Sequence, residues 1–411
     1  MQKHFWSIPN LITHKKTMKK IILKKGRERS LEKRHPWIFS GAIEKIPQDL
    51  SCGETVEILS RDGEFLAKGA YSPSSSIPVK IWTFQEQEEI DREFFRRKLA
   101  DAFLLRQKIY GGILPDAYRL VSAESDSLPG LIVDVYNKYA VIQITSGGMD
   151  HFRDLIGELL LDYAAGVYER SDVESREKDS LEQKKGHLAG EELPPEILFT
   201  ENGIRFAMDP VNGHKTGFYL DQRESRKKVM DSLKGCKNVL NTFAYTGGFG
   251  LAALKGGAEK VLNIDSSLPA LEQARKNAAL NGFTEEEFLT ECADVFAFLR
   301  KCRDSGKTFD AIILDPPKFA ESVKQKEKAA RAYKDINLLA MKLLDKGGFL
   351  FTFSCSGAMD DDLFRKVVDS AAMDAKRDFR ITSFLSQASD HVVSACFPEG
   401  RYLKGLGGIV F

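Results

Sequence analysis

Apolar and polar positions change rhythm three times along this chain. From Lys19 to about Phe84 the runs are short, KIIL, GETVEILS, FLAKGAYS and PVKIWTF, and they alternate or stay apolar. Turns at Arg61-Asp62-Gly63 and Ser72-Pro73-Ser74 separate them, so the pattern predicts a small β-barrel. Residues 90–110 switch to a helical period, with Phe94, Phe95, Leu99 and Phe103 on one face and charges opposite. YRLVSAES and LIVDVYNKYAVIQITS then predict strands, the latter folding back at Asn137-Lys138. A helix over 150–164 and a strand near Val167 complete a small α+β region. SDVESREKDSLEQKKGHLAGEELPP is charged and nearly free of apolar residues, which predicts a linker or an exposed hairpin.

From about Ile204 continuous apolar strands alternate with amphipathic helices. NVLNTF, KVLNID, FLTECAD, FDAIILD and GFLFTFS each lead into a helix, and further strands close the chain. That alternation predicts an α/β, doubly wound, mostly parallel sheet covered on both faces. Ligands of such sheets bind outside the carboxyl ends of the strands, so the strand-end loops carry the chemistry.

After the first strand comes NTFAYTGGFG, where Gly247, Gly248 and Gly250 allow backbone to approach a ligand at a helix start. The spacing is not GxGxxG, so the dinucleotide fingerprint is absent. Asp265 ends the second strand, where a carboxylate can take ribose hydroxyls, and Asp294 follows the third. Asp315-Pro316-Pro317-Lys318-Phe319 follows the fourth and Cys355, within FTFSCSG, follows the fifth. Each acid alone reads equally well as a helix N-cap, and the thiol alone as a small buried hydrophobe. Together they suit a nucleoside ligand lacking a pyrophosphate, such as S-adenosylmethionine. The rigid Asp-Pro-Pro loop suits the edge of a planar amino-pyrimidine or purine.

Composition narrows the class. The chain has 411 residues, 43% hydrophobic and 29% charged, as expected of a soluble protein of two or three domains. No apolar run reaches the roughly 18 residues of a membrane span, and residues 1–17 lack a secretory signal pattern. The six cysteines form no CxxC pair and no His lies at ligand spacing from them, so no metal site and a reducing cytoplasm are expected. Net charge is only +1, yet residues 1–40 hold eleven Lys or Arg against Glu28 and Glu32, a local +9. Within KKGRERSLEKRHPWIFSG, Lys24, Lys25, Arg27, Arg29, Lys33 and Arg34 interleave with His35, Trp37 and Phe39. This mixture suits phosphate contact with base stacking, although a solvated basic tail, and core positions for Trp37 and Phe39, fit as well.

From Lys19 onward the chain resembles the large-subunit rRNA cytosine methyltransferase I family. The matching stretches are KGRERSLEKRHPWIFSGA, LAKGAYSP, SAESDSLPG, GHKTGFYLDQR, NTFAYTGGF, DPPKF, YKDIN and TFSCSG. Residues 1–18 read as a loose tail or an over-extended start, with Met18 an alternative first residue. The resemblance implies a PUA RNA-binding barrel over 19–88. It implies a central α+β domain with charged linker over 89–196 and a class I methyltransferase domain over 197–411. The implied reaction is methyl transfer from S-adenosylmethionine to carbon 5 of one cytosine in 23S rRNA, free or in an assembling large subunit, with a homodimer as one possible state. Cys355 would add to carbon 6 and Asp315 would support ring nitrogen 3. The single-cysteine arrangement is matched, since Pro316-Pro317 has no cysteine beside it. For the cofactor, Asp265 would hold the ribose, Asp294 the adenine amine, the Thr246–Gly248 backbone the amino-acid end, and Asp315 the reacting side. Gln222 and Arg223, in GFYLDQR, are cofactor candidates or ordinary boundary residues. Lys318 would orient Asp315 or RNA, or lie idle on the surface. Three rivals stand: methylation of an exocyclic amine, which needs no thiol; a non-catalytic RNA-binding assembly factor; and a small-molecule methyltransferase, which leaves the +9 end and the barrel unexplained.

Overall fold

The computed structural model describes residues 18–213, 216–320 and 325–411. The tail reading of residues 1–17, with Lys3, Lys15 and Lys16, and His214-Lys215 of the GHKTGFYLDQR motif lie outside the described residues. Among the described residues no helix is long and apolar enough to cross a membrane.

Six strands between Lys20 and Thr83 form the first sheet. Its pairs are antiparallel except Lys20–Leu23 against Thr55–Leu59, and Ile21, Leu23, Val56, Ile58 and Ile81 fill its core. The period-3.6 stretch folds as the helix Arg92–Ile109, started by Asp91, whose side chain accepts the Phe94 N–H. Phe94, Phe95 and Leu99 are buried under a five-stranded sheet, and Trp82 of the first sheet packs edge-on against Phe94 and Phe95. The predicted single helix over 150–164 is two pieces, Gly147–His151 and Arg153–Leu160.

Of the two readings of the charged stretch, the hairpin describes it. Lys184–Gly190 pairs antiparallel with Gly166–Ser171 as the edge of the five-stranded sheet. The guanidinium of Arg176 within it is fully buried, donating to Ile144 O at 2.7 Å and Asp150 at 2.9 Å. Polarity misleads at Arg176 and Asp179, which are buried, while Glu174, Glu177, Glu182, Lys185, Glu191 and Glu192 are exposed as the composition suggests.

The C-terminal sheet holds seven strands: β1 Val239–Thr242, β2 Val261–Asp265, β3 Phe288–Cys292, β4 Phe309–Leu314, β5 Leu344–Ser354, β6 Phe379–Ser386 and β7 Lys404–Val410. Their order is β3-β2-β1-β4-β5-β7-β6, parallel except β7, which runs against both neighbours. The strand order reverses direction between β1 and β4, the place where doubly wound sheets open a crevice. β7 fits its slot because it is glycine-rich. Gly405 and Gly407 pair with Phe353 and Phe351, and a Cβ on Gly405 would stand 2.5 Å from the Phe353 ring.

A buried polar network joins the central region to this sheet. Arg106, fully buried, forks onto Asp126 at 2.6 and 2.8 Å and donates to Asp390 O at 2.8 Å. Asp390 also accepts from the Arg119 backbone N–H at 3.0 Å and from Arg223 at 2.9 Å. Burial alone would raise the Asp390 carboxyl, but His391, Arg223 and the Arg119 amide hold it far below the usual carboxylate range. Replacing Arg106 with Ala would strand Asp126 as a buried, uncompensated charge. We expect R106A to lower unfolding free energy by about 3–5 kcal/mol, read from the urea midpoint.

Candidate functional site

The tips of β1, β2, β4 and β5 surround one cavity of about 580 Å³. That volume falls in the range of small-molecule sites. Its wall includes Tyr219, Gln222, Phe243, Tyr245, Thr246, Gly248, Asp265, Ser267, Asp315, Lys318 and Cys355.

β1 ends in a loop whose backbone is strained. Phe243 and Tyr245 adopt φ of 54° and 47°, the left-handed region that costs a side-chain-bearing residue about 1 kcal/mol or more. Gly247 follows at φ 82°, and a Cβ there would meet the Phe288 ring at 2.7 Å. The loop is held from β2: one Asp265 oxygen accepts the Tyr245 N–H at 2.8 Å and the other the Ser267 N–H at 2.9 Å. The result is a cradle with Asp265 beneath it and the helix Gly248–Lys255 starting behind. The Thr246 hydroxyl in this wall is buried without a hydrogen-bond partner among the described residues. An orphaned hydroxyl beside an anchored carboxylate fits a polar ligand such as the amino-acid end and ribose of S-adenosylmethionine.

On the other side, β4 and β5 end next to each other, with Leu314 paired to Thr352. Asp315 is therefore the first residue past β4, and Cys355 the first past β5. The Cys355 sulfur lies 4.0 Å from the Pro316 carbonyl oxygen, half-buried at the cavity wall. Ser356 ties the two loops: its hydroxyl accepts the Ala320 N–H at 3.4 Å and meets the Tyr333 hydroxyl at 3.1 Å. The amide of Gln222 donates to Asp315 Oδ1 at 2.9 Å. Burial, and then the nearby Asp315, Asp221, Cys355 and Asp265, push the Tyr219 phenol well up, so it stays protonated.

The structure does not bring every candidate to the cavity. Asp294 is exposed and caps the helix Val295–Ser305, accepting the Ala297 N–H at 2.8 Å, and it is absent from the cavity wall. Arg223 is buried away from the wall, bound to Asp390, the Tyr110 hydroxyl and Ala117 O; it joins domains rather than facing a ligand. Gln222 lines the cavity but addresses Asp315. Thr246, Gly248, Asp265, Asp315, Lys318 and Cys355 all line it, and Gly247 shapes the loop from behind. Aromatic Tyr219, Phe243 and Tyr245 were not singled out by the sequence. Their neighbours in GFYLDQR and NTFAYTGGF were, and adjacency to those motifs was the available signal.

On the first sheet, Lys24, Lys25, Arg27, Arg29, Lys33 and Arg34 are all exposed. Among the described residues none pairs with a carboxylate; Lys24 reaches Gly41 O and Arg34 sits over the Phe84 ring. Trp37 is half-buried and held in place. Its indole N–H donates to Glu124 at 2.9 Å and its ring packs edge-on to Phe397 at 4.7 Å, so it cements three parts of the chain. Phe39 beside it is half exposed.

Comparison with known proteins agrees with this arrangement. A family profile for S-adenosylmethionine-dependent methyltransferases matches residues 176–378, and one for PUA-like domains matches residues 21–84. A ribosomal RNA large subunit methyltransferase I of Aliivibrio fischeri is 50% identical over 389 residues, 94% of this chain and 98% of that protein. The protein of the same name from Shewanella frigidimarina is 51% identical over 393 residues, with 94% and 98% covered. A solved structure described as a methyltransferase in complex with SAH shares the fold, with a TM-score of 0.82 at 22% identity, over 95% of this chain and 100% of that one. The cofactor of the C-terminal domain is thus S-adenosylmethionine. Matched at half its residues across nearly its whole length, the chain belongs to the ribosomal RNA large subunit methyltransferase I family.

Proposed function

We propose that this chain methylates carbon 5 of a cytosine in large-subunit ribosomal RNA through a transient covalent bond to Cys355. The observation that carries this reading is the sulfur of residue 355 and the carboxylate of residue 315 facing one cavity, on adjacent strand tips. The PUA-like domain, with its six exposed cations, supports an RNA substrate, read by salt-dependent phosphate contact. Free 23S rRNA or an assembling subunit, and a homodimer, belong to this proposal as the forms to be tested.

Carbon 5 of cytosine is a weak nucleophile. Addition of the Cys355 thiolate to carbon 6 makes the ring an enamine, with electron density displaced onto nitrogen 3. A carboxyl at Asp315, oriented by the Gln222 amide, supplies a proton or hydrogen bond to that nitrogen. S-adenosylmethionine supplies the methyl group. Carbon 5 takes the methyl, a base takes the carbon-5 proton, and the carbon–sulfur bond breaks to restore the aromatic ring and free Cys355. Asp265 and the Thr246–Gly248 loop would hold ribose and amino acid. The cytosine enters the cavity only single-stranded or flipped from its stack.

We expect C355A to bind S-adenosylmethionine normally while losing about a thousandfold or more in 5-methylcytosine formation, mapped by mass spectrometry of the rRNA. Undiminished transfer in C355A would select the exocyclic-amine reading instead. We expect D265A to weaken S-adenosylmethionine binding about 10- to 100-fold in calorimetry, the loss of charged hydrogen bonds to the ribose. Wild-type affinity in D265A would remove that residue from the cofactor site.

A further inference from the structure

We propose that Gln222 selects the base: its side-chain carbonyl accepts the exocyclic amine of the cytosine while its amide nitrogen holds Asp315. The inference rests on the reading above, in which Asp315 and Cys355 mark the side of the cavity that receives a pyrimidine.

Gln222 is only 2% exposed and belongs to the cavity wall. Its two polar ends are in different states. Nε2 donates to Asp315 Oδ1 at 2.9 Å. Oε1 is buried without a hydrogen-bond partner among the described residues. A buried acceptor left unpaired carries its full desolvation cost, and at a cavity wall a donor arriving with the ligand removes that cost. Asp315 decides which end of the amide is left over. Turning the amide over would set Oε1 against Oδ1, acceptor against acceptor, so Nε2 stays on Asp315 and Oε1 remains for the ligand. The last torsion of a glutamine is broad, so a small rotation brings Oε1 to an incoming amine while the Asp315 bond is kept. The backbone on either side is anchored. Asp221 accepts the Tyr402 hydroxyl at 2.7 Å, and Arg223 donates to Asp390 at 2.9 Å. A side chain carried between two fixed neighbours keeps its place, as selection by one amide requires.

Cytosine presents an acceptor at ring nitrogen 3 and a donor at its exocyclic amine, side by side on one edge. Asp315 serves nitrogen 3 in the mechanism above. Gln222, bonded to Asp315, extends the same polar edge by one acceptor. Uracil presents the reverse pattern, a ring N–H and a carbonyl oxygen, and would set that oxygen against Oε1. A site built to accept an N–H rejects a base that lacks it, because the buried acceptor is then left unpaired. The groups proposed to hold the cofactor's polar ends, Asp265 and Thr246, stand on the β2 and β1 loops, whereas Gln222 is bonded to the β4 loop. Oε1 is thus assigned to the base rather than to S-adenosylmethionine.

The test measures RNA affinity without chemistry. The full chain, carrying C355A and saturated with S-adenosylhomocysteine, is titrated with rRNA fragments. At the nucleotide the chain methylates, these carry either cytosine or 2-pyrimidinone. The latter keeps nitrogen 3 and has hydrogen in place of the amine, so Asp315 meets the same partner in both. With Gln222 present, the cytosine fragment is expected to bind about tenfold tighter. With Q222L added, that preference is expected to fall to about twofold or less, while affinity for S-adenosylmethionine is unchanged. No methyl transfer enters the readout, so failure of the covalent reading is seen separately, as undiminished transfer by C355A. A preference that survives Q222L would leave Gln222 as a prop for Asp315 and overturn the proposal. So would indifference to the amine with Gln222 in place. Loss of cofactor affinity in Q222L with the base preference intact would give Oε1 to the cofactor and overturn it too. Should Q222L not fold, judged by circular dichroism, Q222M replaces it.

Discussion

Two neighbouring parallel strands end within two residues of each other at the same edge of the sheet, and the proposed chemistry hangs on that placement. β4 stops at Leu314, paired with Thr352, and β5 runs two residues farther to Ser354, so Asp315 and Cys355 leave adjacent strands at the same edge of the cavity. Hydrogen bonding of the sheet fixes their backbone separation, and the Ser356 hydroxyl, shared between Tyr333 and the Ala320 amide, fixes the loops beyond. Neither Pro316 nor Pro317 can donate a backbone hydrogen bond, and their locked φ makes the Asp315 loop a stiff wall. Positioning of this kind lowers a barrier by removing motions that a free thiol and a free acid would have to lose.

A second constraint works at the scale of domains. Asp390 stands where the central region, the helix starting at Arg223 and the C-terminal sheet meet, accepting from Arg119 and Arg223. Trp37 performs a similar service farther out, linking the first sheet to Glu124 and Phe397. Both contacts join a surface suited to RNA phosphates with a cavity suited to one base and one cofactor. Rigid coupling between them would decide which nucleotide reaches the sulfur.

The sequence carried the strand ends clearly because the parallel sheet writes each buried strand as an unbroken apolar run. FDAIILD stops where its apolar run stops, so Asp315 is read as the first polar residue past the strand, whereas FLFTFSC already carries Thr352 and Ser354 and Cys355 stands out only as a thiol at the strand end. What it could not carry are partnerships across long separations. Arg223 looks like a site residue until Asp390, 167 positions away, claims it. Trp37 gives no sign in the sequence that its ring meets Phe397 and its indole N–H meets Glu124. The left-handed backbone at Phe243 and Tyr245 has no sequence mark, since glycine or asparagine is the usual sign of that conformation. Asp294 shows the remaining ambiguity in one residue, for a helix cap and a ligand acceptor are the same chemical group in the same place.

The proposed covalent step can be tested directly. RNA carrying 5-fluorocytosine at the target cannot lose its carbon-5 substituent as a proton, so a sulfur bonded to carbon 6 would be trapped after methyl transfer. With S-adenosylmethionine present, intact-mass measurement should find protein plus RNA plus one methyl group, attached at the peptide bearing Cys355. Methyl transfer to unmodified RNA, with no trapped species on the fluorinated strand, would contradict the account.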